Sequence, residues 1–368
     1  MSSPGVCFGG PSPEHDISIL TGLQAVHALA ATGESPVAIY WSKTGDWFEV
    51  PTSTEASDFA EGLPRTAEAL VLLTGSEGGF WRQGRRGKRT PLEVSAIVNC
   101  CHGGPGEDGS LQALFDLAAI RYTGPSMAGA ALGMDKLAFA GTMIAAGLPT
   151  LPTWALTADL VLDIGGPLIV KPRFGGSSIG IEVVADLATA KALATSQPLL
   201  REGAIVQAYL DGAEDLNVSV KTCPTVESST IERPLRGEGG RIYSYVEKYL
   251  EGGDQGMASA AREMPADLGS DVEGELRTMA SRVIELALVR SVARIDFLRH
   301  NDTLYVNEIN TIPGSLSWYF WAHDGVPFAT LLIQMLTEAA AGPTRRMRTD
   351  GADGTALRSA GAMARKLA

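Results

Sequence analysis

The sequence predicts a mixed fold, in which an α/β unit with a doubly wound parallel sheet is followed by α+β units. A strand, a glycine-rich turn and a helix follow one another from Gly5, and the same order recurs from Val94. Strands that alternate with helices form parallel sheets with their loops gathered at one edge. Beyond residue 204, several strand-like segments and a long helix precede two final strands, which is typical of α+β units. A chain of 368 residues has room for about two to three domains.

The composition excludes several classes of function. The 30 Lys and Arg against 42 Asp and Glu give a formal net charge of -12, which repels polyanions, so we expect no nucleic-acid partner. No basic stretch precedes an apolar one at the start, and no run of about 18 apolar residues follows, which predicts a cytoplasmic protein without membrane contact. The four cysteines fit neither a disulfide framework nor a zinc site, and we expect free thiols.

The first predicted domain covers residues 1–125. Its strands are expected at residues 5–8, 37–41 and 94–100, and its helices at residues 17–29 and 110–119.

The two glycine turns of this domain each place one acidic residue at a helix start. Ser12 is the expected N-cap of the first helix, Glu14 follows it, and Glu107 precedes the second helix. A helix N-terminus binds an anionic group or is capped by its own carboxylate, so capping and catalysis are both open for the two glutamates. His102, in the loop at the sheet edge, could orient a substrate.

The second predicted domain covers residues 126–203, the third covers residues 204–343, and residues 344–368 are expected to form a flexible tail. The expected helices lie at residues 126–146 and 270–289, and a short strand at residues 167–172.

Lys171 stands inside this apolar strand and is followed by the glycine-rich segment 175–180. Glycines let backbone N–H groups approach an anion closely, and a lysine supplies positive charge, so the pair predicts a cover for phosphate groups. The order differs from that of a P-loop, in which the lysine follows the glycines. A plain surface hairpin would also account for the glycines, but not for a charged residue in the strand.

A polar hairpin lies near the end of the third domain. Asp296 and Glu308 are predicted to face each other across a turn around Asp302, and Arg294 then faces Asn310. Two opposed carboxylates repel each other unless a cation lies between them. Carboxylate and amide oxygens are hard ligands, so Asp296, Glu308 and Asn310 are candidate ligands of Mg²⁺. The alternative is a solvated charged face.

Seven motifs occur in one order from Val6 to Leu336. Together they resemble the D-alanine–D-alanine ligase family of the ATP-grasp superfamily, although no single motif would identify it. The motifs are Gly9-Gly10-x-Ser12-x-Glu14-His15, His102-Gly-Gly-Pro-Gly-Glu-Asp-Gly-Ser-Leu-Gln112, Met134-Asp-Lys136, Ala146-Gly-Leu-Pro149, Lys171-Pro with Gly176-Ser-Ser-x-Gly180, Glu247-Lys-Tyr249 and Asn307-Glu-Ile-Asn-Thr-x-Pro-Gly314.

The resemblance implies an ATP-grasp fold and an ATP- and Mg²⁺-dependent ligase that serves peptidoglycan precursor synthesis. Such an enzyme phosphorylates the carboxylate of one amino acid, D-alanine in the family, and the amine of a second amino acid attacks the acyl phosphate. The resemblance further implies two magnesium ions, small amino-acid substrates and a homodimer.

The roles that the resemblance implies fall into four groups. The catalytic group is Glu14, Ser177, Tyr245 and Arg294. The substrate-binding group is His102, Gly314, Ser315 and Ser317. The ATP-binding group is Lys136, Lys171, Ser178, Gln207, Leu210, Lys248 and, at the ribose, either Glu214 or Asp215. The metal-binding group is Asp296, Glu308 and Asn310.

The sequence departs from the family pattern in three places, one of which is the ribose contact that falls on Glu214 or, with a one-residue shift, on Asp215. Gln207 replaces a glutamate that receives the adenine amino group, and a glutamine oxygen can still accept that bond. Tyr319 stands where the family has a serine that helps to hold the carboxylate of the second substrate. Either Ser315 or Ser317 takes over that task, or the acceptor differs.

Two other functions are open at this point. One is a related ligase that joins other amino acids in a specialised pathway, which the aromatic block at residues 318–321 suggests. The other is a non-catalytic nucleotide-binding module, which would require the loss of a lysine or metal position.

Overall fold

A computed structural model of the protein describes residues 3–235, 261–342 and 349–360, which form three β-sheets with helices packed on them. The first sheet consists of β1 (Ser3–Gly9), β2 (Val37–Trp41), β3 (Trp47–Val50), β4 (Glu68–Leu73), β5 (Gly79–Gln83), β6 (Arg89–Pro91) and β7 (Val94–Asn99), in the order β6-β5-β4-β3-β2-β1-β7. The helices of this part are α1 (His15–Ala30), α2 (Gly104–Glu107) and α3 (Ser110–Leu117).

Parallel pairing is confined to one end of this sheet. β1 pairs in parallel with β2 and β7, as predicted, whereas β2 to β6 form an antiparallel meander, which corrects the prediction of a wholly parallel sheet. A parallel connection needs about a dozen or more residues. The segment between β2 and β3 is instead a tight turn, in which Ser42 N–H donates to the Asp46 carbonyl at 2.8 Å.

The two faces of the first sheet are covered by different helices. Phe8 packs on the side of α1, and Cys7, its neighbour in β1, packs on the side of α3. α1 begins at His15 with Glu14 at the N-cap position, so the prediction of Ser12 as N-cap was wrong. The Ser12 hydroxyl accepts a bond from Glu14 N–H at 3.1 Å, which ends the turn before the helix begins.

The predicted helix at residues 126–146 is two helices, α4 (Met127–Met134) and α5 (Lys136–Ala145). Asp135 separates them in an extended conformation, with φ -83° and ψ 95°. Its side chain accepts bonds from Leu137 N–H and Ala138 N–H and so caps α5.

The second sheet has four antiparallel strands, and α6 (Leu187–Ser196) packs on it. The strands are β8 (Trp154–Ala155), β9 (Leu168–Pro172), β10 (Glu182–Val184) and β11 (Ala204–Ala208), in the order β10-β9-β11-β8. β11 pairs with β9 along its whole length, so a domain boundary at residue 203 would separate two bonded strands. The structure therefore puts the end of this unit after residue 208.

The third sheet has five antiparallel strands, and α7 (Ser270–Leu286) packs on one face. The strands are β12 (Glu214–Lys221), β13 (Glu227–Pro234), β14 (Arg262–Glu263), β15 (Val292–His300) and β16 (Thr303–Asn310), in the order β14-β13-β12-β15-β16. Leu216, Val218 and Phe297 turn toward α7 in a closed apolar core. The residues that alternate with them, among them Asn217 and Asp296, lie on the opposite face.

The predicted pairing in the β15–β16 hairpin is confirmed: Asp296 lies opposite Glu308, and Arg294 opposite Asn310. The turn at Asn301 and Asp302 is tighter than predicted, with positive φ angles of 48° and 61° at both residues. A bulge after Asp296 corrects the register, since Phe297 pairs with Val306 and Asn307 is the extra residue.

The remaining elements complete the C-terminal part. They are α8 (Trp318–His323), α9 (Phe328–Ala341), α10 (Thr355–Ser359) and the 3-10 turns Ala56–Phe59, Gly75–Glu77, Arg85–Gly87, Pro198–Leu200 and Gly314–Ser317. α9 packs with α1 on the first sheet, so the end of the chain returns to its beginning. Residues 355–359 of the predicted flexible tail are helical.

All four cysteines are free, as predicted. Within the described residues, no helix combines the length and the apolarity that crossing a membrane would require.

We expect Gly22→Ala to lower the free energy of unfolding by about 1–3 kcal/mol, because a Cβ atom on Gly22 would overlap the Phe8 side chain where α1 packs on β1. Gly141→Ala in α5 is the matched control. No neighbouring element lies within 4 Å of its Cβ position, so this substitution should stabilise by about 0.5–1 kcal/mol. Urea denaturation measures both, and equal midpoints for the two variants would contradict the packing argument.

Candidate active site

A cleft lies where the three sheets meet, and each unit contributes to its walls. Its lining includes Glu14, His102, Glu107, Lys136, Gly175, Gly176, Ser177, Arg294, Glu308, Asn310, Ile312 and Gly314. Most of the predicted catalytic, substrate-binding and metal-binding residues therefore lie around one space.

The hairpin face supplies the acidic wall of the cleft. Arg294 and Asp296 are both 8% exposed, and the guanidinium binds the carboxylate through Nε and Nη2 at 2.6 and 2.7 Å. Asn310 Nδ2 donates to Asp296 at 3.1 Å, and Lys136 Nζ lies 3.7 Å from Glu308 Oε2. Each carboxylate thus has a cation beside it, and the repulsion between the two carboxylates is compensated.

Two lysines connect the second unit to this wall. Lys171 is 7% exposed, and its Nζ donates to the Oδ1 atom of Asn307, the bulged residue, at 3.2 Å. Lys136 Nζ donates to the carbonyl of Gly175 in the glycine-rich loop. The loop, both lysines and the acidic hairpin therefore form one contact region, as a phosphate site requires.

The glycine-rich loop also reaches the first unit. Ser177 and Ser178 adopt left-handed backbone conformations with φ of 54° and 59°, which residues other than glycine rarely adopt. The Ser177 hydroxyl donates to Glu14 Oε1. The loop thereby lines the cleft and brings the Ser177 hydroxyl to Glu14, the carboxylate predicted to bind the substrate ammonium.

Both ring nitrogens of His102 form hydrogen bonds within the protein. The Ile312 carbonyl can only accept, so His102 Nδ1–H donates to it at 2.8 Å, and Nε2 of the neutral ring accepts from the Thr21 hydroxyl at 2.8 Å. Thr21 Oγ1 in turn accepts from Ser315 N–H at 3.1 Å. Burial lowers the pKa of His102, although Glu14 opposes this effect. The neutral imidazole therefore holds residues 312–315 in place. Sequence reasoning missed Thr21, which lies seven residues into a helix without a motif of its own.

Glu107 links the first unit to the third. Its carboxylate accepts bonds from Gly103 N–H and Ile312 N–H, both at 3.1 Å, and from the Thr311 hydroxyl at 3.3 Å. Burial, followed by the charge of Glu14, raises the pKa of Glu107 to about 7. Its contacts are thus those of a residue that joins the two units.

Gln207 in β11 lies beyond the lysines. Its side chain is 4% exposed, and Nε2 donates to Thr153 Oγ1 at 2.8 Å. Among the described residues, Oε1 has no bonding partner and remains as a buried acceptor. Leu210 follows in the segment that leads to β12. Asp215 alternates onto the face of Asn217, whereas Glu214 lies 3.6 Å from Arg233.

Residues 314–317 form an unusual turn at the end of the cleft. Ser315, Leu316 and Ser317 have consecutive positive φ angles of 48°, 50° and 54°. The Ser317 hydroxyl is buried without a partner among the described residues, and Ser315 is tied to Thr21 through its backbone. The Tyr319 hydroxyl donates to Glu232 Oε2 at 3.2 Å. The predicted residues Tyr245 and Lys248 lie outside the described part of the chain.

The three sheets, and a cleft at their meeting point lined by Lys136, carboxylates and a glycine-rich loop, define a protein with the ATP-grasp fold. Two family models match the chain: "D-ala D-ala ligase N-terminus" over residues 4–125 and "D-ala D-ala ligase C-terminus" over residues 141–337. The chain belongs to the D-alanine–D-alanine ligase family.

Curated relatives agree with this assignment, and solved structures agree with the fold. The D-alanine–D-alanine ligase of Mycobacterium sp. (strain KMS) is 33% identical over 365 residues, covering 91% of this chain and 95% of the relative. In fold, the D-alanine–D-alanine ligase of Coxiella burnetii matches 92% of this chain and 94% of its own, with a TM-score of 0.75 at 22% identity. The VanG D-Ala:D-Ser ligase of Enterococcus faecalis matches 92% and 99%, with a TM-score of 0.74 at 21% identity.

We expect Glu107 to make the protein less stable as the pH rises from about 4.5 to about 7. Its folded pKa of about 7 exceeds its usual value of 4.5, so the folded state binds more protons in this range. The stability that the protonated group contributes is complete below pH 4.5 and is lost as the pH rises through about 7. Urea denaturation across this range should show a weaker decline for Glu107→Gln.

The matched control for this measurement is Glu93→Gln, at an exposed position before β7. It should keep the decline of the wild-type protein. An unchanged slope in Glu107→Gln would show that Glu107 does not titrate in this range.

Proposed function

We propose that the protein is an ATP-dependent ligase that joins D-alanine to a second amino acid, D-alanine itself in the simplest case, for peptidoglycan precursor synthesis. The observation that carries this proposal is the meeting of Lys136, Arg294 and Glu308 around one cleft in a chain of this family. Lys171 is bonded to Asn307 and Asp296 to Arg294 in the adjoining hairpin. The reaction brings a nucleotide triphosphate, a carboxylate and an amine together, which requires placed cations and exclusion of water.

The residues present fit ATP. Lys136 and Lys171 lie beside the glycine-rich loop, where they would neutralise phosphate oxygens. Thr153 accepts from Gln207 Nε2, which leaves Oε1 as the atom able to accept a bond from an adenine amino group. The replacement of glutamate by glutamine thus keeps the acceptor that adenine needs.

The residues present also fit magnesium. Asp296, Glu308 and Asn310 offer carboxylate and amide oxygens on one face, which suit Mg²⁺ better than zinc. One or two magnesium ions there would neutralise charge on the transferring phosphoryl group.

Glu14, Ser177 and Arg294 would each have a separate role in the reaction. Glu14, a carboxylate 8% exposed beside the glycine-rich loop, would bind the ammonium of the donor amino acid. Ser177 closes the loop over that carboxylate, which protects an acyl phosphate from water. Arg294, fixed in orientation by two bonds to Asp296, would stabilise the oxyanion that forms when the amine attacks.

Two alternatives differ in their support. A related ligase with another acceptor is favoured by Tyr319, and the fold alone does not fix the acceptor, since it also occurs in a protein described as a D-Ala:D-Ser ligase. A non-catalytic module lacks support, because each described lysine, arginine and carboxylate position of the family motifs carries the residue type that the family has there. A homodimer in the cytoplasm is part of the proposal.

The experiment that tests the proposal is ADP release with ATP, Mg²⁺ and D-alanine, with the dipeptide product identified by mass spectrometry. We expect D-alanyl-D-alanine. Release with another amino acid and none with D-alanine would favour the related ligase, and no release with any amino acid would overturn the proposal.

Glu308→Gln should lower the rate of dipeptide formation by at least about 100-fold, because it removes one of the two negative charges that would hold magnesium. Glu285→Gln, on the exposed side of α7, is the matched control and should leave the rate unchanged. Steady-state ADP release measures both. Full activity in Glu308→Gln would refute the metal assignment.

Gln207→Leu should raise the KM for ATP by about 10-fold, since it removes the buried acceptor, while Gln207→Glu should change it by less than about threefold. Both KM values follow from ADP release at saturating amino acid. If the leucine and glutamate variants behave alike, Gln207 does not contact the base.

A further inference from the structure

A row of polar side chains crosses the third sheet on its cleft face. Glu232 in β13 pairs with Asn217 in β12, Asn217 pairs with Asp296 in β15, and Asp296 pairs with Glu308 in β16. With strands about 4.8 Å apart, Glu232 lies about 10 Å from Asp296. The row therefore continues from the proposed metal ligands toward a part of the face that the proposed mechanism does not use.

At its far end the row carries a buried ion pair. Glu232 is 4% exposed, and its Oε1 atom lies 3.0 Å from Arg262 Nη1. Asn217 Nδ2 donates to the other oxygen at 3.4 Å, and Tyr319 from α8 donates to it at 3.2 Å. Two hydrogen-bond donors and one ion-pair partner thus hold this carboxylate on the cleft face of the sheet.

Arg262 is held from a second side by an aromatic ring. Its Cζ atom lies 4.3 Å from the centroid of the Tyr319 ring, which is a cation–π contact. Glu232 and Tyr319 therefore fix the guanidinium in one orientation. A guanidinium has five N–H donors, and an arginine can bind a second carboxylate beside the first.

The Tyr319 hydroxyl does not replace a serine as a donor to substrate. A phenol has one hydrogen, and in the structure it is donated to Glu232. Burial raises the pKa of Tyr319 well above its usual value, so the hydroxyl keeps this hydrogen. The ring, rather than the hydroxyl, is what Tyr319 presents next to Arg262.

An acceptor amino acid needs a cation on this side of Arg294. Its amine must reach the acyl phosphate at Arg294, and its own carboxylate must then lie in a site that excludes water, where an unpaired charge is costly. The lysines on the β16 side serve the phosphates. Lys221, on the same face, is bound to Glu227 at 2.9 Å and has a side chain only 4% exposed, against 13% for Arg262.

We propose that Arg262 binds the carboxylate of the acceptor amino acid and that Glu232 and the ring of Tyr319 position its guanidinium. The proposal rests on the proposed ligase function. It assigns the acceptor as a free amino acid with an anionic carboxylate, recognised by an arginine from β14.

The test is a competition between two acceptors, D-alanine and D-alaninamide, with D-alanine as donor. The ratio of D-alanyl-D-alanine to D-alanyl-D-alaninamide, measured by mass spectrometry, reports the preference for a carboxylate and is independent of the ATP and donor steps. We expect Arg262→Gln to lower this ratio by about 10- to 100-fold, because a charge-assisted bond is lost. Continued formation of the amide product shows that the variant is folded and active.

Further variants separate the roles. Arg262→Lys keeps the positive charge beside Glu232 and should lower the ratio less than Arg262→Gln does. Tyr319→Phe keeps the ring and should preserve the ratio within about threefold, whereas a large loss would show that the hydroxyl is the carboxylate donor. Arg282→Gln, at an exposed position on α7, is the matched control.

An unchanged ratio in Arg262→Gln, with both dipeptides still formed, overturns the proposal and leaves the ligase function standing. No dipeptide from the wild-type protein with either acceptor overturns the ligase function, and the role of Arg262 falls with it.

Discussion

The electrostatic repulsion between Asp296 and Glu308 is the constraint on which the site depends. Antiparallel pairing puts the two carboxylates directly opposite each other, a position that destabilises a sheet unless positive charge is added. The structure adds it from two elements, as Arg294 of the same strand binds Asp296 and Lys136 of α5 approaches Glu308. The cations that stabilise this arrangement are the same groups that would face phosphate and oxyanion during the proposed reaction.

A second requirement follows, because Lys136 must be held near the hairpin. The apolar core does this, since Phe139 and Met143 of α5 pack with Val306 and Ile309 of β16. Polar contacts between loops join the first unit to the rest: Ser177 binds Glu14, and Glu107 binds the backbone of Ile312. Separating the units would leave buried polar groups without partners, which costs about 1–3 kcal/mol for each group. The charge arrangement in the cleft and the packing of the three units are therefore specified together.

Sequence reasoning predicted the parts of the site that depend on one element or on two strands joined by a short turn. Alternation in two strands was enough to place Asp296 opposite Glu308, and the bulge at Asn307 restored the register that a tighter turn would have shifted. It could not predict the role of Thr21, since nothing local distinguishes a helical threonine that relays a bond between Ser315 and His102. The boundary at residue 203 failed for the same reason, because the pairing of β11 with β9 is a long-range contact.

The acceptor side of the cleft depends wholly on such long-range contacts. In the sequence, Tyr319 stands for the loss of a serine hydroxyl that the family has at this position. In the structure it contacts both Glu232 of β13 and Arg262 of β14. A buried ion pair is weak evidence for stability, since desolvation of both charges offsets their attraction, and apolar residues often do as well. A buried pair on the same sheet face as Asp296, with the arginine the more exposed partner, supports the proposed binding of a charged substrate more than a role in the stability of the sheet.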